Sequence, residues 1–245
     1  AYAVIVALLN RHMLMGWVGA GEGFLLWFLP IGMLIFLPGL HRAVMPESFV
    51  EHYKPGTWVK AGFLHTFTFL AMSFLLVNPP MGDIVAPKLA SHWAIATDDG
   101  EILLFNEDSS KDGIIEWEVE NDGRLDGEVW LLFALADNVN SDGAEVKVEL
   151  THQSVVTELT SDEYYWANNS DRIANATKTD NSSAPNLVPH SKDQPFAINL
   201  GSDLAVGSHE ILVTISEEGD PWENERVYSW KLVVVEAVES TESGE

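Results

Sequence analysis

Two stretches near the start of the chain hold no charged residue: Phe24 to Leu40 (FLLWFLPIGMLIFLPGL) and Ala61 to Val77 (AGFLHTFTFLAMSFLLV). As helices rising about 1.5 Å per residue, each covers about 26 Å, close to the apolar thickness of a bilayer once flanking residues are added. Both are apolar on every side, which suits lipid better than the one-sided burial of a soluble core helix. Pro30 and Pro38 are expected to kink or end the first, a defect that membrane helices tolerate. Residues 24–40 and 61–77 are therefore predicted to span a membrane. Ala1 to Leu9 and Met13 to Ala20 are apolar as well, but Asn10-Arg11-His12 divides them, and an Arg near the middle of a span costs about 3 kcal/mol or more. The chain opens at Ala1 without a Met, so residues 1–20 are expected to be the end of a further helix. They do not read as a signal peptide, because the charges follow the apolar run.

From Asn78-Pro79-Pro80 the pattern changes. Residues 79–90 read as a breaker-rich linker, and short β-like runs then alternate with turn signals. Strands are predicted near His92–Thr97, Glu101–Phe105, Ile114–Glu120, Glu128–Leu135, Glu145–Leu150, Phe196–Leu200, Glu210–Ser216 and Val227–Val235. IIEWEVE and EVKVEL alternate apolar with charged positions, as half-buried antiparallel strands do. Asp99-Gly100, Asp112-Gly113, Asp122-Gly123, Asp126-Gly127 and Asp142-Gly143 are expected at turns, where glycine supplies a positive φ. About eight strands at this spacing predict an antiparallel β-sandwich over residues 91–236. Residues 160–192 break the rhythm as a polar insertion, and 237–245 read as a disordered acidic tail.

Charge divides the chain at the same place. Residues 1–82 hold four Lys and Arg against three acids, whereas residues 83–245 hold nine against 34, so −25 of the net −24 lies on the second part and +1 on the first. Such a surface repels nucleic acid and anionic headgroups, and it suits a domain that stays soluble in salt, as in a marine or halophilic archaeal setting. Arg42, Lys54 and Lys60 lie in the short loop between the two spans. Positive charge there, beside Trp58, puts that loop inside and the acidic domain outside the cytoplasm. The chain has no cysteine, which removes disulfides, thiolate metal sites and a thiol nucleophile.

Candidate chemistry is sparse. Asn138, Asn140 and Asp142 with Glu149 match calcium-loop spacing, yet they fall in a predicted hairpin instead of between helices, where a plain β-turn is the favoured explanation. Asp108 to Gly113 is a second acidic stretch without the closing Glu. His12, Met13, Met15, His41, His52 and His65 could suggest copper or haem, but the topology spreads them over both membrane sides. No phosphate-binding glycine loop and no nucleophile elbow are present, so neither an enzyme nor a cofactor is predicted. Asn168, Asn175 and Asn181 begin Asn-x-Ser/Thr sequons, candidate glycosylation sites if the insertion is outside.

Trp117-Glu118-Val119-Glu120-Asn121-Asp122-Gly123 leading to Gly127-Glu128-Val129-Trp130-Leu131-Leu132 resembles the first hairpin of CARDB-like, immunoglobulin-type repeats of archaeal and bacterial surface proteins. Ile198-Asn199-Leu200, then Val206-Gly207-Ser208-His209-Glu210-Ile211-Leu212-Val213, is similar to the family's second half, followed by Glu223-Asn224-Glu225. The resemblance covers about half of the chain and implies an adhesion or spacer module without an active site; the long insertion departs from the compact repeat. The expected whole is two to three transmembrane helices anchoring an extracytoplasmic immunoglobulin-like sandwich that meets the bilayer and a protein partner or surface polymer. The alternative is an accessory subunit of a respiratory complex, laid out like oxidase subunit II without its copper site.

Overall fold

The computed structural model describes residues 1–15, 28, 30–119, 123–137 and 143–237. The chain divides into two compact units, Ala1–Val85 with Glu218–Asn224, and Ala86–Glu217 with Glu225–Glu245.

The first unit is helical: α1 (Tyr2–Leu9, extended by a π-turn over Asn10–Leu14), α2 (Leu37–Val44), α3 (Glu47–Val50) and α4 (Pro55–Val77). Helix α4 starts on Pro55, whose missing N–H is no loss in a first turn, and stops at Val77 because Pro79 and Pro80 cannot continue the ladder. Ala3, Val6 and Ala7 of α1 pack with Phe69 and Leu76 of α4. At the end of this contact Arg11 is buried, donates from Nε to the Leu76 carbonyl at 3.1 Å, and forms an ion pair with Asp220. The sequence makes Arg11 a costly charge within a span. Instead it sits where α4 ends and unpaired carbonyls carry partial negative charge, with a carboxylate to complete its neutralisation. Asp83 and Asp220 exchange backbone hydrogen bonds of 2.9 and 2.8 Å in the same unit.

Among the described residues one helix, α4, is long and apolar enough to cross a membrane, where two to three were expected. Tyr2–Leu14 and Pro30–Val44 are apolar helices too short to meet that measure. In the predicted 24–40 span, residues 24–27 and 29 lie outside the described residues, and Met33–Phe36 is a 3₁₀ turn. Pro38 has no N–H to offer the Leu34 carbonyl, and the Leu37 N–H bonds it instead, tightening the helix there.

The second unit is two sheets. The first contains β1 (Lys88–Leu89), β2 (Ala94–Asp98), β3 (Leu103–Glu107), β5 (Arg124–Ala136), β8 (Thr177–Lys178) and β9 (Gln194–Ala205). Strand β5 is central: β9 pairs along one edge, β1 and β2 along the other, with β3 and β8 beyond β2. The second sheet has the order β4 (Ile114–Val119), β11 (Asn224–Glu236), β10 (Gly207–Glu217), β6 (Glu145–His152), β7 (Val155–Leu159). Placing β5 and β9 in one sheet and β6, β10 and β11 in the other is the strand partition of an immunoglobulin-type sandwich. The pairs β4–β11 and β3–β8 are parallel and the remaining pairs described are antiparallel.

Ile115, Trp117 and Val119 alternate inward with Glu116 and Glu118 outward, as the sequence pattern requires. The core between the sheets is filled by Trp93, Trp117, Phe133, Phe196 and Trp230 with aliphatic residues of every long strand. Trp93 stacks on Trp230 at 4.8 Å and donates its indole N–H to Asp108 at 3.0 Å. Each predicted strand falls on an observed one. Asp126-Gly127 does not turn a hairpin. It forms a bulge inside β5, where Gly127 (φ +81°) is required because a Cβ would lie 2.7 Å from the Asp98 carbonyl oxygen.

Trp117 and Trp130 are each only 5% exposed, on opposite faces of the fold's buried layers. Trp117→Ala and Trp130→Ala are each expected to lower the unfolding free energy by about 3–5 kcal/mol. Urea titration followed by far-ultraviolet circular dichroism measures the loss, and an unchanged midpoint for Trp130→Ala would mean that its face is not a core.

Candidate interaction surface

Strand β5 reads Val129-Trp130-Leu131-Leu132-Phe133-Ala134-Leu135 with every residue buried. Odd-numbered side chains enter the core between the sheets. Trp130 and Leu132 point the other way, into a second cluster with Ala94, Ala96, Leu103, Phe105 and Ala197. That outer face is sealed by the segment predicted as a polar loop. Its short helices α5 (Tyr165–Asn168) and α6 (Ser170–Asn175), with Ala176 and Leu187, lay Tyr165, Trp166 and Ile173 on the sheet. The correction to the sequence reading is physical: a segment rich in Asn, Ser and Asp needs only a few apolar residues on one side to cover an apolar face.

Polar contacts fix the seal in place. The Arg172 guanidinium makes two parallel hydrogen bonds to the Asp98 carboxylate, both 2.7 Å, and the Tyr165 hydroxyl donates to Asp98 Oδ2 at 3.5 Å. Two-pronged arginine–carboxylate pairing adds direction to attraction. The Tyr165 ring stacks on Trp130 with centroids 3.8 Å apart. Lys178 pairs with Glu107, and Asp162 Oδ1 accepts from the backbone N–H groups of Tyr164 and Tyr165 at the start of α5. Arg172 holds the Asp98 carboxyl below the ordinary carboxylate range, against the opposing effect of burial. Burial, followed by the Asp98 charge, pushes the Tyr165 hydroxyl up.

The outer face of the second sheet has no such cover among the described residues. Glu116 and Glu118 on β4, Glu210 on β10, Glu145 and Glu149 on β6 and Glu158 on β7 are exposed there. Lys147 and Lys231 share the face, and Lys231 Nζ lies 4.0 Å from Glu210. Glu149 stands directly across from Glu158 in the β6–β7 register, a like-charge pair that repels and that a cation relieves. The arrangement is a solvated sheet face on which these six glutamates outnumber the two lysines.

The sequence candidates fare differently. Asn138, Asn140 and Asp142 lie outside the described residues, and Glu149 is on the open sheet face. Asn168, Asn175 and Asn181 are all exposed on the sealing segment. The Asp108 to Gly113 stretch is a turn organised by its own first residue: Asp108 accepts from the Asp112 and Gly113 N–H groups and from Trp93. His41 bonds the Tyr53 hydroxyl at 2.8 Å, His52 bonds the Ser48 carbonyl at 2.8 Å, and His65 faces the Tyr2 ring. His209, which the resemblance singles out, is buried, donates from Nε2 to the Ala205 carbonyl at 2.8 Å and stacks on His152 at 4.1 Å. Burial lowers its pKa.

No family model matches the chain, and no curated protein matches it. Among solved structures, that of murine CRIg is similar at 12% identity with a TM-score of 0.22, over 51% of this chain and 93% of the other. The immunoglobulin-type fold is read here from the strand partition itself.

Sequence reasoning missed the Asp98–Arg172–Tyr165 lock. The available signal was Arg172, the one basic residue between Thr160 and Thr177, close to three apolar side chains in a segment otherwise polar. Because Asp98 titrates below its ordinary value in the folded chain, its contribution is complete at neutral pH and fades as pH falls below about 4. Asp98→Asn is expected to cost about 2 kcal/mol at neutral pH and to abolish that acid-dependent step. Hydrogen exchange of the Tyr165–Thr177 amides measures both; an unaltered acid profile in the variant would exclude the lock.

Proposed function

We propose that this chain is a membrane-anchored protein whose immunoglobulin-type sandwich stands outside the cytoplasm and acts by binding, not by catalysis, presenting the outer face of its second sheet to a cationic partner. The observation that carries the reading is the asymmetry of the two outer faces: one is sealed by residues 161–187 and fixed by Asp98 and Arg172, the other is open and lined with glutamates. A sheet face with solvated acids on alternate positions attracts complementary charge over about 10 Å at moderate salt. The apolar helix α4 supports anchoring, and the Arg42, Lys54 and Lys60 loop supports the orientation. The CARDB-like resemblance carries the same expectation of an adhesion or spacer role. With the domain outside, Asn168, Asn175 and Asn181 would bear glycans on the sealed side, away from the open sheet. The oxidase-subunit reading rests on chain layout alone.

Orientation is tested in this cysteine-free chain by single cysteines at two exposed positions. Ser182→Cys is expected to react with a membrane-impermeant maleimide in intact cells and Ser48→Cys is not; the reverse pattern would put the sandwich in the cytoplasm. For the binding face, a photo-crosslinking residue at Leu212 is expected to join the chain to a second protein, and one at Asp171 on the seal is not. Equal capture from both positions would remove the open sheet as the interacting surface.

A further inference from the structure

Each sheet of the sandwich has two edges, and among the described residues three of the four carry a further hydrogen-bonded contact. The free side of β9 is met by the preceding segment, where the Asp162 N–H donates to the Ala197 carbonyl at 2.8 Å and Ser161 bridges Ile198. Strand β3 is covered by β8, which folds back on itself through Lys178 N–H to the Ser182 carbonyl at 2.8 Å. Strand β4 is capped by the Asn106 side chain, whose Nδ2 donates to the Glu116 carbonyl at 2.7 Å. Strand β7 has, among the described residues, neither a backbone partner beyond its ladder to β6 nor a side chain hydrogen-bonded to its backbone. It carries no lysine, no proline and no bulge, and Val155 and Val156 are 66% and 58% exposed.

We infer that β7 is a docking edge that accepts an extended segment of a partner protein as an added strand, with cationic and apolar residues in alternation. The chemistry of that strand follows from the register. Val156 and Glu158 point to the outer face and Val155, Thr157 and Leu159 to the core side, since Glu158 stands opposite outward Glu149 and Leu159 opposite buried Val148. An added strand therefore places every second side chain beside Val156 and Glu158, where lysine or arginine pairs with Glu158 and offsets its repulsion with Glu149 one strand further in, and the others beside Val155, Thr157 and Leu159, where apolar groups extend the core. A second copy of this chain fits less well, because its residues 83–245 carry a further net charge of −25.

The inference rests on the proposed cationic-partner reading, and its test separates the two. The full chain in detergent micelles is titrated with three labelled peptides: Lys-Val-Lys-Val-Lys-Val-Lys, the equally charged Lys-Val-Lys-Pro-Lys-Val-Lys, and Glu-Val-Glu-Val-Glu-Val-Glu. Affinity is read by anisotropy and location by hydrogen exchange. The alternating cationic peptide is expected to bind and to protect amides within Val155–Leu159, and the proline version to bind about tenfold more weakly because it cannot complete the ladder. Glu149→Gln combined with Glu158→Gln is expected to weaken binding about fivefold without changing the fold. Equal binding of both cationic peptides, without protection in β7, overturns the edge inference and leaves the acidic-face reading standing. Cationic peptides that bind no better than the anionic one overturn both. A peptide-free dimer protected at β7 overturns the proposed occupant in favour of a second copy.

Discussion

Strand β5 runs through the middle of the first sheet with apolar side chains on both faces, and much of the second unit follows from that. A strand buried on both sides needs two layers against it. The second sheet supplies one, through the shared tryptophan and phenylalanine core. The other comes from residues 161–187, which would otherwise be a polar excursion. Trp130 and Leu132 cannot be left in water cheaply, so the excursion is held down by the stacked Tyr165 ring and by Arg172 on Asp98. The bulge at Gly127 belongs to the same constraint, since it lets the backbone of β5 pass close to Asp98.

The parts legible in the sequence are those where one face is dry and the other wet. Ile114 to Val119 and Glu145 to Leu150 show the alternation because the second sheet keeps its outer face in solvent, and the pattern there states both the strand and its register. The first sheet is less readable, because two-sided burial erases alternation and leaves a plain apolar run. Strand β7 was not predicted because its hairpin to β6 turns on Gln153 and Ser154, both with positive φ, where a glycine or Asn-Gly signal would normally stand. Candidate chemistry was legible only as residue types. Nothing in the spacing of Asp98 and Arg172, 74 residues apart, announces that they meet.

The helical unit shows how a sequence can mislead through a correct principle. A charge inside an apolar run is expensive, and Arg11 would be so if it faced lipid alone. A partner far away in the chain, Asp220, together with the open carbonyl at the end of α4, supplies the compensation. Local hydropathy cannot contain that information, because it belongs to contacts that form only when distant segments fold together.

The contrast between the two outer faces has a consequence for how such a protein changes over generations. Each outward glutamate of the second sheet is exposed, so a single codon change there alters the charge of that face while leaving the core untouched. On the first sheet the same change disturbs Trp130, the stacked ring above it and the lock at its rim together. Drift and selection are thus free to rewrite the charge on one side of the sandwich, while the other side holds the inheritance of the fold.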